Sequence, residues 1–409
     1  MQLQPLSAES RFRPAVYGLI HALVDAACAA AVVRASRGSY LGDLSTFWTV
    51  AGYDLLAFGL EFPLGLVVDR LQLTRFSMII GTAMAAVVLA PGPIPALATM
   101  IVAGVGNALF HLGAGGLVLR SAGGRAAPAG VFVAPGALGL GLGMWMGRTG
   151  RGSTFPIYVA LAFAVIALIT LDRPALKWEP SKGSHALPRS GSGGQSPPAP
   201  TRSWEPSKGS HALPRSGSGG QSPPAPTRSW EPPKGSHEKL ALLPWLVLLM
   251  LLLVSVAVRS FVGFGACFQC PGGLAVAIGL PVAAFLGKLL GGIVADRLGW
   301  LRASAGALLL SLPLIAFSGG SLVLALPGVL LFQSTMAVTL VAVYGLMPRW
   351  PATAFGLPCL ALVAGSFPTF FPAGKQLFGR WTFVLLIAFS AAVLALALRR
   401  LARHGLARD

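Results

Sequence analysis

Two distant parts of the sequence end an apolar stretch with nearly the same short motif. Residues 65–70 read Gly-Leu-Val-Val-Asp-Arg and residues 292–297 read Gly-Ile-Val-Ala-Asp-Arg, and in each copy another arginine follows five residues later. Eight residues before each aspartate lies a lone charge, Glu61 in the first copy and Lys288 in the second. Matched positions of this kind indicate an internal structural repeat, which is typical of membrane transporters built from two related halves.

The composition is that of a chain built for lipid. Hydrophobic residues make up 54% of the sequence and charged residues only 11%, whereas soluble domains carry about 25% charged residues. A membrane span needs roughly 20 mainly apolar residues. We predict about 12 such spans, six on each side of a polar insert. The predicted spans are 14–34, 46–68, 76–92, 94–119, 127–147 and 154–172, followed by 241–264, 273–295, 302–318, 321–346, 352–372 and 380–398.

The distribution of positive charge predicts the orientation of these spans. The chain has a net charge of +18, and most of its 31 lysines and arginines lie on the same side of the membrane as the N-terminus. Because positively charged loops stay in the cytoplasm, both termini and the insert are predicted to be cytoplasmic. No cleavable signal peptide is apparent. We therefore predict a multi-pass protein of the bacterial inner membrane, a monomer in contact with lipid, and we expect no nucleic-acid partner.

The polar insert divides the chain into two related halves. A 26-residue unit at 178–203 is repeated without change at 204–229, and a truncated copy follows. The unit is rich in Gly, Pro, Ser and basic residues, so it has too little apolar surface to fold. The predicted organisation is an N-terminal six-helix bundle at 1–172, a disordered cytoplasmic linker at 173–240 and a C-terminal six-helix bundle at 241–409. The predicted fold is all-α, with twelve transmembrane helices in two pseudo-symmetric bundles.

Ionisable residues inside spans are expected to be functional, because each costs about 2.5–3.5 kcal/mol to insert at the centre of a membrane helix. The first span contains His21 and Asp25, which are one helical turn apart and share a face. We predict that Asp25 is the main proton carrier and that His21 is its partner, since groups of this kind can exchange protons near neutral pH. The alternative for Asp25 is a structural carboxylate hydrogen-bonded to a neighbouring helix.

Five further ionisable residues are predicted to line a substrate cavity. Asp54 and Glu61 lie seven residues apart in the second span, His111 lies in the fourth, Arg259 in the seventh and Lys288 in the eighth. Glu61 and Lys288 either form an ion pair between the halves or contact the substrate. Arg259 either clamps an anionic group or bonds to backbone at the end of its span. The alternative for His111 is a packed, hydrogen-bonded histidine.

Small residues recur every fourth position in two spans. They are Gly279, Ala283, Gly287, Gly291 and Ala295 in the eighth span, and Gly139, Gly143 and Gly147 in the fifth. This spacing lets helix backbones approach closely. We predict that the stripes pack helices and provide a surface on which one half rocks against the other.

The repeated motif is predicted to form a cytoplasmic gate. An aspartate placed near the positive end of a helix is stabilised there, which would allow the motif to act as a latch. The gating residues are predicted to be Gly65, Asp69, Arg70, Gly292, Asp296 and Arg297.

The sequence resembles the major facilitator superfamily, and within it the fosmidomycin-resistance-type exporters. The superfamily resemblance rests on the G-x-x-x-D-R loop after the second span and its copy after the eighth. The chain departs from the family pattern at Gln72, where a glycine is usual; Gly299 keeps that glycine in the second copy. The residues that carry the narrower resemblance are His21 with Asp25, Pro63 with Gly65, Asp69 and Arg70, Phe110 with His111, Arg120 and Gly124 with Arg125, Phe132 with Val133 and Gly136, and Arg259 with Ser260 and Phe261.

This resemblance implies two six-helix bundles around a central cavity, proton-driven export, and contact between the fifth and eighth helices. We expect no bound cofactor or metal, with the proton gradient as driving force, and an anionic or zwitterionic small solute as substrate. A proton-coupled importer and a non-transporting sensor or assembly protein are the alternatives. An enzyme is not expected, because no nucleophile–base pair, phosphate loop or metal-ligand cluster occurs outside the insert. Cys267 and Cys270 are expected to have a structural role, with a disulfide as one form of it.

Overall fold

The structure is a computed structural model, and it describes residues 8–37, 43–90, 92, 94–170, 242–270 and 272–407. The predicted linker at 173–240 lies outside the described residues. Its disorder and the domain boundaries beside it therefore remain predictions.

Every regular element in the described part of the chain is helical. Helices of the first half are α1 (Ala8–Arg37), α2 (Asp43–Asp54), α3 (Glu61–Arg70), α4 (Thr74–Val87), α5 (Ala96–Ser121), α6 (Ala126–Thr149) and α7 (Phe155–Thr170), with a π-helical turn at Leu55–Gly59. Helices of the second half are α8 (Leu242–Gln269), α9 (Leu274–Leu298), α10 (Trp300–Ala316), α11 (Leu322–Gln333), α12 (Met336–Leu346), α13 (Pro351–Ser366), α14 (Pro372–Lys375) and α15 (Arg380–Arg403), with a 3-10 turn at Phe367–Phe370.

These helices confirm the predicted twelve-helix architecture. Nine segments of the described chain are long and apolar enough to cross a membrane, and three shorter apolar helices, α4, α7 and α10, occupy the remaining predicted spans. Two spans are interrupted: the second contains the π-helical turn between α2 and α3, and the tenth is broken between α11 and α12. The predicted limits of the spans agree with the helices to within a few residues.

Side-chain exposure fits a protein surrounded by lipid. Large apolar side chains are exposed on the outer surface, including Leu19, Phe163 and Leu385, which are 65%, 66% and 70% exposed. Soluble proteins rarely expose such extensive apolar surface. The interior, in contrast, is rich in alanine and glycine, and α1 alone buries Ala26 and Ala27 almost completely. Small interior residues allow close helix packing where no hydrophobic effect drives association.

The two halves meet through matched pairs of helices. α3 packs against α13, and α9 packs against α6. The second and eighth spans are related by the repeat, and they contain α3 and α9. The fifth and eleventh spans are likewise related, and they contain α6 and α13. Each contact therefore joins the same kind of helix pair, with the halves exchanged. The fifth and eighth membrane spans, which are α6 and α9, therefore meet, as the resemblance implied.

The glycine stripes, however, do not face that contact. A Cβ atom at Gly139 or Gly143 would collide with the backbone oxygen of Ala22 or Ala26 on α1. Two other glycines of α6 face α9, and one of them, Gly141, lies against Pro281. The expectation that this stripe forms the sliding surface between the halves is corrected, because a four-residue spacing defines one helix face without naming its partner.

The stripe in the eighth span behaves in the same way. Gly287 and Gly291 face the backbone of Leu330 and Ser334, and Gly279 faces a leucine side chain of α11. The stripe therefore packs α9 against the tenth span of its own half. Both stripes hold a bundle together rather than separating the two bundles.

The loops after the repeated motifs each contain a residue with a positive φ. Gln72 has φ of 56° and Gly299 has φ of 90°. A residue with a Cβ atom is disfavoured in this region, so glycine is the expected residue. Gln72 gains a local hydrogen bond instead, because its side-chain Nε2 donates to the Asp69 carbonyl oxygen at 2.8 Å, in addition to the longer bond from its own backbone N–H at 3.4 Å.

Candidate functional site

Four ionisable side chains of the first half form one buried chain of hydrogen bonds. Glu61 Oε1 lies 2.8 Å from His111 Nδ1, and His111 Nε2 lies 2.8 Å from His21 Nε2. His21 Nε2 lies 3.1 Å from Asp25 Oδ2. Each of the four residues is at most 7% exposed. Residues from the first, second and fourth spans are thus joined inside the bundle, and we call this set the buried proton network.

Two neutral side chains extend the network beyond Asp25. Asn107 Nδ2 donates to Asp25 Oδ1 at 3.0 Å and also to the Tyr53 hydroxyl oxygen at 3.0 Å. At the other side, His21 Nδ1 lies 3.0 Å from the Phe132 carbonyl oxygen. The network therefore touches α1, α2, α3, α5 and α6.

Helix periodicity explains why these side chains converge. His21 and Asp25 are one turn apart on α1, and Asn107 and His111 are one turn apart on α5, so each pair projects from one helix face. Gly136 of α6 makes room for them, since a Cβ there would collide with the His21 ring and lie 2.8 Å from Asp25 Oδ2. The absence of a side chain at Gly136 thus allows α6 to pack directly against His21 and Asp25.

The hydrogen bonds define where hydrogens must lie. A carbonyl oxygen only accepts, so His21 Nδ1 carries a hydrogen toward Phe132. The 2.8 Å contact between the two Nε2 atoms requires one hydrogen between the rings of His21 and His111. Another hydrogen lies between His111 Nδ1 and Glu61 Oε1. Three hydrogens therefore occupy the three bonds.

The same three hydrogens allow several distributions of charge. If the hydrogen between the rings is on His21, that ring is a cation beside Asp25. If it is on His111, the cation is His111, and if the last hydrogen then moves to Glu61, the acid becomes neutral. None of these changes requires a heavy atom to move. When the hydrogen between the rings is on His21 Nε2, Asp25 Oδ2 lies 3.1 Å away and can accept it. The geometry is therefore suited to passing a proton between the Asp25 and Glu61 ends.

The Glu61 end of the network reaches the second half. Gly356 of α13 packs against the backbone of Glu61, and a Cβ there would lie 2.6 Å from its carbonyl oxygen. The Cys359 thiol lies beside the carboxylate. Glu61 is fully buried, yet its Oε2 makes no hydrogen bond with any described residue. An acidic group with an unused acceptor thus lies where the halves meet.

Asp54 does not join this network. It is half-buried and makes no hydrogen bond or ion pair within the described residues. The π-helical turn at Leu55–Gly59 separates it from Glu61. Because a π-helical turn inserts about one extra residue per turn, a spacing of seven no longer puts the two carboxylates on the same face.

Lys288 does not pair with Glu61. The ion-pair alternative for these repeat-related residues is corrected, because Glu61 takes His111 as its partner. Lys288 is half-buried, within electrostatic reach of Asp25 and Cys359, and forms no ion pair among the described residues. Helix rotation accounts for the difference, since equivalent positions in two repeats need not point at each other.

Arg259 lies in the second half, away from these carboxylates. It is 8% exposed, so it is buried rather than placed at an exposed end of its span. Its guanidinium donates to the Ser255 carbonyl oxygen and to the hydroxyl oxygens of Thr335 and Thr339. Both alternatives for Arg259 therefore stay open, because it bonds to backbone and also presents a buried charge.

The aspartates of the repeated motif each cap a helix of the opposite half. Asp69 accepts hydrogen bonds from the backbone N–H groups of Ala352 and Thr353 at 3.1 and 2.8 Å, and from the Thr353 hydroxyl at 2.8 Å. Asp296 accepts from the N–H groups of Ala126 and Ala127 at 2.8 and 2.9 Å. The positive ends of α13 and α6 stabilise these anions.

The other motif residues divide into two kinds. Gly65 and Gly292 lie against the same helix starts, and a Cβ at Gly65 would be 2.9 Å from the Thr353 Cα. Arg70 and Arg297 are exposed and make no bond to any described residue. The aspartates and glycines thus join the halves, and the arginines do not take part in the described contacts.

His21, Asp25 and His111 form the one group in the described chain whose donor atoms are close enough for a metal ion, all within 4.8 Å of one another. Two imidazoles and a carboxylate suit several divalent metals. Here the donor atoms already contact one another at hydrogen-bond distances, which a proton bridges by itself. The expectation of no metal remains a prediction. The thiols of Cys267 and Cys270 are not joined to each other.

The neutral members of these sites were not predicted from the sequence. Asn107 is the clearest omission, and its position one turn before His111 in an apolar span was a usable signal. Tyr53, Thr335 and Thr339 have no comparable signal, because neutral hydroxyl groups are common in membrane helices.

Comparison with other proteins establishes the class of fold. No protein-family model and no curated protein matches the sequence. A crystal structure of the major facilitator superfamily transporter FucP in the outward conformation matches with a TM-score of 0.53 and 14% identity, covering 94% of this chain and 98% of that chain. The E. coli fucose:proton symporter FucP, as an asparagine-to-alanine variant, matches with a TM-score of 0.54 and 12% identity over the same shares.

The chain thus has the fold of the major facilitator superfamily transporters and is a multi-pass membrane protein. At such low identity the likeness establishes the fold alone. The narrower resemblance to fosmidomycin-resistance-type exporters remains a prediction.

Proposed function

We propose that the chain is a secondary active transporter that exports a small organic solute in exchange for protons. Asp25 is the main proton carrier and His21 its partner, and alternating access of the cavity between the halves moves the solute. The proton gradient is the driving force, and no cofactor takes part. The protein acts as a monomer in the bacterial inner membrane.

One observation carries this proposal: the buried network contains two carboxylates and two imidazoles linked by hydrogen bonds. Ionisable residues inside a membrane are costly and are retained chiefly for ion pathways and proton relays. The relay joins the interior of the first half to Glu61 at the contact with α13. A change of protonation at Glu61 can therefore alter how the halves meet, which is the step that coupling requires.

The two aspartate latches support alternating access. Each consists of an anion on one half and a helix start on the other, and both lie at span ends predicted to be cytoplasmic. Carboxylates bonded to backbone N–H groups form strong but breakable contacts, since each charged hydrogen bond contributes about 1.5–3 kcal/mol. Opening the cavity to the cytoplasm requires Asp69 and Asp296 to leave α13 and α6.

The solute is proposed to carry an anionic or zwitterionic group. Lys288 presents a positive charge that pairs with no carboxylate among the described residues, close to the Asp25 end of the network. Together with Glu61, His111 and Arg259, it provides both signs of charge near the contact between the halves. Asp54 retains its proposed place at the cavity because its carboxylate has no partner among the described side chains.

Two alternatives use the same fold. A proton-coupled importer would employ the same network with the solute moving inward, and the fucose:proton symporter FucP has this fold. A non-transporting sensor or assembly protein is the other. The retained buried charges favour transport, because a protein that does not cycle has little reason to keep them.

The test is proton flux in everted membrane vesicles with an acidified interior. A panel of small organic solutes is added while ΔpH is followed for wild type, Asp25→Asn and Asp43→Asn. Asp43 is a suitable control because it begins α2, ahead of the membrane-spanning segment Phe47–Arg70. We expect at least one solute to collapse ΔpH in wild type and in the control, but not in Asp25→Asn.

Each other outcome replaces part of the proposal. An equal response in wild type and Asp25→Asn would make Asp25 structural and move the carrier role to Glu61. Proton uptake that appears only in right-side-out vesicles with external solute would identify an importer. If a broad panel moves no protons in either orientation, the non-transporting alternative takes its place.

A further inference from the structure

The geometry points to an oxyanion site in the second half, in which Arg259, held by Thr335 and Thr339, binds a carboxylate or phosphonate group of the solute. This inference rests on the proposed function for the passage of that solute, and it goes further by naming the chemical group and the residue that holds it. Binding alone requires no proton gradient, so it can be tested separately.

Arg259 is a buried cation without an ionic partner in the described part of the chain. It is 8% exposed and forms no ion pair with any described carboxylate. The sequence from 241 to 408 contains a single acidic residue, Asp296, and that carboxylate is bonded to the start of α6. A buried charge without a counter-ion is strongly unfavourable. An anion supplied from outside would remove this cost.

The guanidinium has donors to spare on its outer nitrogens. Nε donates to the Ser255 carbonyl oxygen at 3.2 Å, Nη1 donates to the Thr335 hydroxyl, and Nη2 donates to the Thr339 hydroxyl at 2.8 Å. All three acceptors are neutral. Because a guanidinium has five N–H groups, one remains on each terminal nitrogen. These two donors of the forked guanidinium are available to the oxygens of a carboxylate or phosphonate.

The break in the tenth span orients this fork. α11 ends at Gln333 and α12 begins at Met336. The Ser334 and Thr335 hydroxyls donate to the carbonyl oxygens three residues earlier, at 2.6 and 3.3 Å, and such bonds compete with the helix. Thr335 and Thr339 are fully or almost fully buried. Arg259 is therefore held at a helix break, the kind of place where transporters bind substrates.

The charges of the second half favour an anion over other ligands. Away from the ends of its spans this half has two cations, Arg259 and Lys288, and no acid. A cationic or neutral ligand would leave the guanidinium uncompensated. A carboxylate or phosphonate has at least two oxygens, so it can accept from both spare donors.

The test is ligand binding to the full-length protein purified in detergent. Methylphosphonate and acetate serve as probes, and methylammonium serves as a cationic control. Thermal unfolding midpoints measured against probe concentration give the Kd, because a ligand that binds only the folded state stabilises it. We expect at least one anion to raise the midpoint of wild type in a saturable way, with no effect of methylammonium.

Variants assign the binding to Arg259. Arg259→Gln keeps donors for the threonines but removes the charge, and it should raise the Kd by at least about 30-fold. Arg380→Gln is the matched control, since Arg380 is an exposed arginine of the same half at the start of α15, and it should leave the Kd unchanged. If Arg259→Gln does not fold, Arg259→Lys keeps the charge without the fork and should still weaken binding by at least about tenfold.

Two results would overturn the inference. One is a wild-type protein that no anion stabilises, and the other is an Arg259→Lys or Arg259→Gln variant that binds as tightly as wild type. Failure here differs from failure of the proposed function. Anion binding without any solute-driven proton flux would contradict proton coupling alone, whereas proton flux that is unchanged in Arg259→Gln would contradict the oxyanion site alone.

Discussion

The two halves share their architecture but have divided their charges. The first half buries two carboxylates and two histidines, which satisfy one another. The second half has a buried Arg259 and a half-buried Lys288, with no acid away from the ends of its spans. Both halves keep the aspartate latch and its glycine. A repeat therefore preserves the contacts that join the bundles, and it leaves the interior of each bundle free to specialise.

Each half also has one interrupted span beside its buried charge. In the first half the π-helical turn Leu55–Gly59 precedes Glu61, and in the second the break after Gln333 lies beside Arg259. These interruptions do not occur in repeat-related spans. They have therefore arisen separately in each half, next to the group that we assign to protons in one half and to the solute in the other.

The largest expected effect comes from breaking the network at its centre. His111→Gln removes the only ring that joins Glu61 to His21, so coupled proton flux should fall by at least about 100-fold, as expected for loss of a positioned acid–base group. His404→Gln, an exposed histidine after α15, is the control and should keep full flux. Near-normal flux in His111→Gln would mean that the network of the first half does not carry the protons.

Neutralising either latch aspartate should slow transport less than the loss of His111 does, and the two aspartates should differ in their effect. Asp69 is 4% exposed and has three donors within 3.1 Å, whereas Asp296 is half-buried and its third donor, Trp300 Nε1, is 3.3 Å away. Asp69→Asn should therefore slow transport by about tenfold, and Asp296→Asn should slow it less.

Solute binding should persist in both variants, because neither aspartate belongs to the cavity. The measurement is initial transport rate together with Kd. Unchanged kinetics in Asp69→Asn would refute the latch, and a larger effect of Asp296→Asn would reverse the proposed ranking.

The smallest expected effect tests the loops where the repeats differ. Gly299→Ala should lower stability by about 1–2 kcal/mol, because its φ of 90° disfavours a Cβ atom. Gln72→Gly removes a similar strain but also loses the bond to the Asp69 carbonyl, so its net change should stay within about 1 kcal/mol. Thermal unfolding of the two purified variants measures both. If both variants lose the same stability, Gln72→Gly has relieved no strain, and the explanation of the positive φ at Gln72 is wrong.

Much of the fold could be predicted from the sequence. Spans are visible because lipid demands long apolar segments, and the repeat is visible because both copies of the motif kept the same order. All four members of the network were also predicted as functional, since a charge in lipid is costly wherever it points.

The partners of those residues could not be predicted. Glu61 takes His111 rather than Lys288, and Asp54 lies outside the network, because the rotation of each helix and one π-helical turn decide these contacts. Nothing in the local sequence reports such a rotation. The helices that the glycine stripes contact could not be predicted for the same reason, since the spacing identifies a helix face but not the helix packed against it.

The most direct test of the central claim is proton flux in proteoliposomes with a pH dye inside. The claim is that Asp25 and Glu61 are two ends of one relay. Solute-driven flux is compared for wild type, Asp25→Asn, Glu61→Gln and the double variant. Residues that act as a unit are strongly non-additive, so each single variant should be as inactive as the double. If either single variant keeps most of the flux and the losses multiply in the double, the two carboxylates act independently and the relay is wrong.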